Sequence, residues 1–193
     1  MKQTLSALSG IIFLIGYVPY ISAVLRKQAQ PCKASWIIWA LLDLLMLGGM
    51  YLKHALNGQI LGATFGSLIV MVLACKHGKL GMTRLDKACL AVALASLPLG
   101  LLDPTYIIVV NSIVVFIGAV PTFISTWEDF RRENRLAWAI YAFSCIPAVL
   151  AIPRWTWADA VQPVSYAVGE VIMMYLLFVR PWLKATAAAP SQA

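Results

Sequence analysis

The sequence is poor in charged residues, which make up 12% of its 193 residues, whereas soluble domains carry about 25%. Hydrophobic residues make up 61%, above the roughly 45–50% of soluble proteins, and they occur in long blocks such as 5–25 and 88–102. This composition excludes an ordinary soluble domain and a disordered chain. The four cysteines form no CxxC pair, which excludes a disulfide-rich scaffold, and we expect four free thiols.

The chain also lacks the short motifs of common catalytic and metal sites. It contains no GxSxG, no HExxH and no phosphate-binding loop, so we expect no enzymatic activity and no cofactor. Its two histidines, His54 and His77, are predicted on opposite sides of a membrane, which argues against a metal site. Lys184 lies beyond the last predicted span, so the buried lysine of a retinal protein is missing.

Apolar stretches bounded by charge, proline and glycine predict seven transmembrane helices. The fourth is the weakest, because Pro98 and Gly100 interrupt it. The segment after Lys184, residues 185–193, is predicted to be a disordered tail. The predicted spans cover residues 5–25, 34–52, 58–75, 88–102, 105–127, 136–152 and 157–179.

The positive charge of the chain follows this predicted topology. With seven spans, twelve of the 15 Lys and Arg residues fall on one side of the membrane, and only Lys2, Lys53 and Arg154 fall on the other. Because an excess of Lys and Arg marks the cytoplasmic side, the N-terminus is predicted outside and the C-terminus cytoplasmic, in a bacterial inner membrane. The net charge of +7 thus indicates membrane orientation, and we expect a lipid bilayer as partner and no nucleic acid.

An internal repeat becomes visible when the chain is shifted by 102 positions. It predicts two parallel three-helix repeats, in 5–75 and 105–180, joined by a linker helix in 76–104. Because the first helix belongs to the repeat, we expect it to be retained and not removed as a signal peptide. The matching pairs are Ile11/Ile113, Ile15/Ile117, Gly16/Gly118, Val18/Val120, Pro19/Pro121, Trp36/Trp138, Ile38/Ile140 and Ala40/Ala142.

This pattern resembles the SWEET and PQ-loop superfamily of seven-helix membrane transporters. Residues 121–123, Pro-Thr-Phe, are similar to a motif of SWEET sugar transporters, and Ser35-Trp36 with Trp39 resembles the start of the second helix in PQ-loop proteins. The glutamine of the PQ loop is replaced by Tyr20 and Thr122, and the SWEET asparagines are absent from the middles of both third helices.

The resemblance implies an all-α membrane fold of 3+1+3 helices. It also implies a central pocket that is lined by the third helix of each repeat and by aromatic side chains. The corresponding residues in this sequence are Thr64, Ser67, Trp138, Ser165 and Tyr166.

Pro19 and Pro121 lie inside predicted spans, where each ring removes a donor and frees the carbonyl four residues earlier. A freed carbonyl at membrane depth must be satisfied by a neighbour or by water. The functional interpretation is a paired hinge for movement between outward-open and inward-open states. The alternative is two static kinks.

Two carboxylates are predicted near the middle of their spans. Asp43 lies on one helix face with Trp36 and Trp39, and Glu170 is similarly central in the seventh span. A charged group at the helix centre costs about 2.5–3.5 kcal/mol, so both should face the bundle interior or a water-filled cavity. They are candidates for solute binding, and the alternative is a structural carboxylate bonded to a neighbouring Ser, Thr or Trp.

The sequence therefore favours a transporter of a small neutral or cationic polar solute, since no basic residue lies inside a span to bind an anion. Proton coupling through the carboxylates is an added hypothesis. Alternatives are a ligand-sensing or sorting receptor and a structural membrane partner.

Two repeats make a complete core without a second chain, and a homo-oligomer is left open. Trp36 and Trp138 are also candidates for the interfacial aromatic belt.

Overall fold

Within residues 1–78, 81–96, 98 and 103–188, which the computed structural model describes, the chain is helical and contains no strand. A π-helical segment, Tyr175–Val179, joins the last two helices, and a short 3-10 turn, Phe130–Arg132, follows the fifth. The helices are α1 Lys2–Leu25, α2 Lys33–Leu52, α3 Gly58–His77, α4 Arg84–Ser96, α5 Pro104–Glu128, α6 Arg135–Leu150, α7 Trp157–Met174 and α8 Arg180–Ala188.

Five helical stretches are long and apolar enough to cross a membrane: α1, α2, α3, α5, and the stretch from α7 through the π segment to Lys184. Helix α6 is apolar but has only 16 residues. Helix α4 has 13 residues and begins with charged side chains. The predicted all-α class is thus confirmed for the described residues, and the five long apolar helices are compatible with an integral membrane protein.

The fourth predicted helix begins earlier than the sequence indicates. It was expected over 88–102, but α4 begins at Arg84 because Thr83 and Asp86 cap its first turn. The Thr83 N–H donates to the Asp86 carboxylate at 2.7 Å, and the Asp86 N–H donates to the Thr83 hydroxyl at 3.1 Å, which satisfies two donors that a helix start leaves free. Residues 97 and 99–102 lie outside the described ranges.

The C-terminal end of the bundle also differs from the prediction. Instead of ending at residue 179, the helical path continues through the π segment into α8. Residues 185–188 of the predicted tail belong to α8. Residues 189–193 of the predicted tail lie outside the described ranges.

The helices pack in a pattern that occurs twice. Helix α1 packs against α3, and α3 against α2; in the same way α5 packs against α7, and α7 against α6. The two triplets meet through α1 with α6 and through α5 with α2, which are equivalent pairs under the 102-residue shift. Helix α4 packs against α5 and α2, outside this symmetric arrangement.

The repeated glycines lie where the two triplets meet. A Cβ on Gly16 would lie 2.5 Å from the Tyr141 ring, and a Cβ on Gly118 would lie 2.5 Å from Cγ2 of Ile38. Real Cβ atoms do not approach other heavy atoms so closely. Glycine at these positions therefore allows α1 to approach α6 and α5 to approach α2.

We expect Gly118→Ala to lower the free energy of unfolding by about 1–3 kcal/mol, because the added methyl group overpacks the contact with Ile38. Thermal unfolding of the detergent-purified protein measures the change. Gly48→Ala is the matched control: nothing lies within 4 Å of its added Cβ, and alanine gains up to about 1 kcal/mol over glycine in a helix. Equal effects of the two substitutions would contradict this account of the α5–α2 contact.

Candidate functional site

A cavity of about 90 Å³ lies between the two triplets. Residues from α1, α2 and α3 line it on one side and residues from α5, α6 and α7 on the other. Six of the seven residues predicted to bind solute are among its lining residues: Asp43, Ser67, Trp138, Ser165, Tyr166 and Glu170. The structure thus brings together side chains that lie far apart in the sequence, and their binding role stays a prediction.

Thr64, the seventh predicted residue, does not line the cavity. Its hydroxyl donates to the Ile60 carbonyl at 2.8 Å, one turn earlier in α3, and lies 3.3 Å from the Asp43 carbonyl. A threonine hydroxyl in a helix readily bonds back to the preceding turn. Thr64 therefore links α3 to α2 behind the cavity wall.

The two central carboxylates differ in their partners. Asp43 is only 4% exposed, and its carboxylate accepts a hydrogen bond from the Tyr166 hydroxyl. Glu170 is 8% exposed, and its Oε2 atom has no hydrogen-bond partner among the described residues. The alternative of a structural carboxylate bonded to Ser, Thr or Trp stays a prediction for Asp43, because the Ser67 side chain interacts with its carboxylate, whereas Oε2 of Glu170 has no such partner among the described residues.

Aromatic rings form most of the cavity wall. Trp39 is 5.1 Å from Trp36 and 6.1 Å from Trp138, measured between ring centroids. Tyr141 continues the series at 5.7 Å from Trp138 and stacks on Phe13 at 4.8 Å. Sequence reasoning missed Phe13 and Tyr141 as site residues, although Tyr141 aligns with Trp39 under the 102-residue shift. The other aromatic lining residues are Tyr17, Phe116, Phe123 and Tyr166.

Trp36 and Trp138 are buried, which corrects their interpretation as belt residues. They are 3% and 5% exposed. The indole N–H of Trp36 donates to the Tyr20 hydroxyl at 3.1 Å, and that of Trp138 donates to Oε2 of Glu133 at 2.9 Å. Their rings line the cavity while their N–H groups point into a polar cluster beside it.

This Glu133 cluster consists of Tyr20, Trp36, Glu133 and Trp138. The Tyr20 hydroxyl donates to Oε2 of Glu133 at 2.8 Å, which connects α1 with the loop between α5 and α6. Burial raises the pKa of the Glu133 carboxyl from 4.5 to about 7, and the hydrogen bonds from Trp138 and Tyr20 only partly oppose this rise. Sequence reasoning missed Glu133, since a carboxylate in a loop rich in arginine is typical of a solvated surface.

A second polar cluster, the amide cluster, lies near the start of α7, toward the end of the bundle opposite the Glu133 cluster. Asn57 donates to Gln162 at 2.8 Å, Gln162 donates to Gln59 at 3.2 Å, and Gln59 lies 3.3 Å from the Cys145 sulfur. Both glutamines are fully buried. A second cavity of about 360 Å³, lined by Asn57 and Asp159 among others, lies beside this cluster. The Gln162 carbonyl accepts a hydrogen bond from the hydroxyl of Ser165, a lining residue of the central cavity, so the amide cluster is next to residues of both cavities.

The predicted hinge prolines lie within continuous helices. Pro19 is inside α1, directly before Tyr20 of the Glu133 cluster, and Pro121 is inside α5, two residues before Phe123 of the cavity wall. Their role as hinges stays a prediction. The structure adds that both are adjacent to residues of the candidate site.

The described residues contain no group of three His, Cys, Asp or Glu side chains that could hold a metal ion. The four cysteines are free thiols, as expected. No protein-family model matches the chain, and neither the curated proteins nor the solved structures contain a match. The function is therefore inferred from the geometry of the cavity and of its two flanking clusters.

Proposed function

We propose that this protein is a membrane transporter that moves a small neutral or cationic polar solute by alternating access. The observation that carries this proposal is the cavity between the two triplets, which holds two buried carboxylates and has a polar cluster on either side. A solute site at the interface of two structural repeats is the usual arrangement in transporters built from repeats. The 3+1+3 architecture with parallel repeats is part of the same proposal, and the repeated packing pattern supports it.

The ends of the helices support the proposed topology. The Lys2 ammonium donates to the carbonyl of Ile152 at 2.8 Å, and Lys53 pairs with Asp103 at 3.2 Å. These contacts place the start of α1 with the end of α6, and the end of α2 with the start of α5. At the opposite end, the Gln30 N–H donates to the Arg132 carbonyl at 2.8 Å. The separation of Lys2 and Lys53 from Arg132 supports the proposed orientation with a cytoplasmic C-terminus.

The two polar clusters are the proposed closures of the transport path. The Glu133 cluster joins α1 of the first triplet to the α5–α6 loop and α6 of the second, on the cytoplasmic side. The amide cluster joins α3 of the first triplet to α6 and α7 of the second, on the outer side. Rocking of one triplet against the other, with Pro19 and Pro121 as hinges, would open one cluster while the other stays closed.

Counterflow in liposomes that contain only this protein tests the proposal. Liposomes are loaded with unlabelled solute and diluted into labelled solute, using a sugar, a neutral amino acid and organic cations in turn. We expect transient accumulation of label for at least one member of the panel, absent from protein-free liposomes. A solute that stabilises the purified protein against heat but shows no counterflow would favour a ligand-sensing receptor and contradict transport.

A further inference from the structure

We infer that the central cavity binds a small organic cation, held between aromatic ring faces and the carboxylate of Glu170. This inference narrows the solute class of the proposed function. Transport of the cation depends on the proposed function. Binding of the cation to the cavity does not, and it is measured in a separate experiment.

The aromatic wall supplies the first half of the recognition. Trp39 and Trp138 lie nearly perpendicular, at 70°, so that their rings enclose a corner and do not stack against each other. A cation within about 6 Å of an aromatic ring is attracted by the negative face of the ring, most strongly for tryptophan. Sites for quaternary ammonium groups use this arrangement of several ring faces.

The charged residues of the cavity wall supply the second part of the recognition of a cation. Asp43 and Glu170 are the charged residues that line the cavity, and its described lining contains no Lys, Arg or His. Asp43 already accepts from Tyr166, whereas Oε2 of Glu170 is buried without a partner. A buried carboxylate without a counter-charge is costly, and a cation in the cavity beside Glu170 would offset that charge.

The same lining argues against other ligand classes. An anion would meet two carboxylates and no positive charge. A sugar would find few free hydrogen-bond donors, since Ser67 and Ser165 each donate to a backbone carbonyl of their own helix, at 3.2 and 2.9 Å. Among the hydroxyls of the described lining, that of Tyr141 is the one without a partner. An inorganic cation needs a close shell of several oxygen ligands, and this wall is mainly carbon. The lining therefore fits a cation that carries its own apolar surface.

Matched probes test the inference on the purified full-length protein in detergent. Choline and its uncharged isostere 3,3-dimethylbutan-1-ol have the same shape, and 1-methylpyridinium is compared with neutral pyridine at alkaline pH. Ionic strength is held constant with sodium chloride. We expect at least one cation to raise the melting temperature with concentration and to bind about tenfold or more tightly than its neutral counterpart. Equal binding within each pair, or no binding of either cation at millimolar concentration, would overturn the inference.

Variants connect the binding to the named side chains. Glu170→Gln is expected to weaken binding of the cation about tenfold or more and to leave the neutral isostere unaffected. Trp39→Leu should weaken it more than Trp39→Phe, which keeps a ring and is the safer variant for folding. Trp182→Leu, at an exposed site in α8, is the matched control. Unchanged cation affinity in Glu170→Gln and Trp39→Phe would contradict the assignment.

The outcomes for binding and for transport are distinguishable. Choline binding that depends on Glu170, without counterflow, would support the cation site and overturn transport. Counterflow of an uncharged solute, with no cation binding, would support transport and overturn the cation site.

Discussion

Replacing Glu133 with alanine is expected to lower the free energy of unfolding by about 3–5 kcal/mol, because it leaves buried donors without an acceptor. The Tyr20 hydroxyl and the Trp138 indole N–H both donate to Oε2 of Glu133, at 2.8 and 2.9 Å. The hydroxyl of Tyr20 in turn accepts from Trp36 at 3.1 Å, so the loss spreads through the Glu133 cluster. Denaturant titration in detergent measures the change.

The conservative variant Glu133→Gln is expected to show how this site depends on pH. Burial raises the pKa of the Glu133 carboxyl from 4.5 to about 7, so folding favours its protonated form. As pH rises from 4.5 to about 7, Glu133 ionises in the unfolded chain but stays protonated in the folded protein. The wild-type protein therefore loses about 3 kcal/mol of folding free energy over this range, and no more above about pH 7. Glutamine keeps an acceptor oxygen and never ionises. We therefore expect wild type and variant to be similar below pH 5 and the variant to be more stable above pH 7.

The matched control is Glu128→Gln, at the last residue of α5. Glu128 is half-exposed and pairs with Arg132 at 2.8 Å. Exposed pairs of this kind contribute about 0–1 kcal/mol, so its substitution should change stability little at either pH. If Glu133→Gln and wild type show the same pH dependence of stability, the carboxyl is not buried as described.

The second large effect is expected for Asp43→Asn, which should reduce uptake of a cationic solute by about tenfold or more, because it removes one of the two carboxylates that line the cavity. A factor of ten corresponds to about 1.4 kcal/mol, which is part of the several kcal/mol that a buried cation without any counter-charge would cost, since Glu170 keeps its charge in this variant. Tyr166→Phe should have a smaller effect, because it removes the hydroxyl that orients Asp43 but keeps the charge. Uptake into proteoliposomes at equal protein content measures both.

Asp103→Asn is the control for Asp43→Asn. It removes an exposed carboxylate that caps α5 through the Thr105 N–H, and asparagine is an equally good cap. Normal uptake in Asp43→Asn would contradict the proposed role of this carboxylate. The proton-coupling hypothesis is decided by the pH dependence of the remaining uptake: if Asp43→Asn and Glu170→Gln leave it unchanged, the hypothesis is wrong.

Residues with a strong pattern signal were found from the sequence. Asp43 and Glu170 are charged groups within apolar spans, so their placement toward the bundle interior follows from the cost of exposing charge to lipid. Gly16 and Gly118 were found because the repeat aligns them. Glu133 was missed because nothing in its neighbourhood distinguishes a buried loop carboxylate from a solvated one.

The sequence by itself determined the all-helical class and most helix boundaries, because apolar runs, prolines and caps act locally along the chain. It also determined the repeat and the central position of the carboxylates. Only the tertiary structure decided which groups became partners: Tyr166 with Asp43, the amide cluster, and Tyr20 with Glu133 across 113 positions. These contacts depend on how the two triplets pack. The helix faces that meet are set by the glycine contacts and the shapes of the aromatic rings at the interface, and no local sequence pattern specifies them.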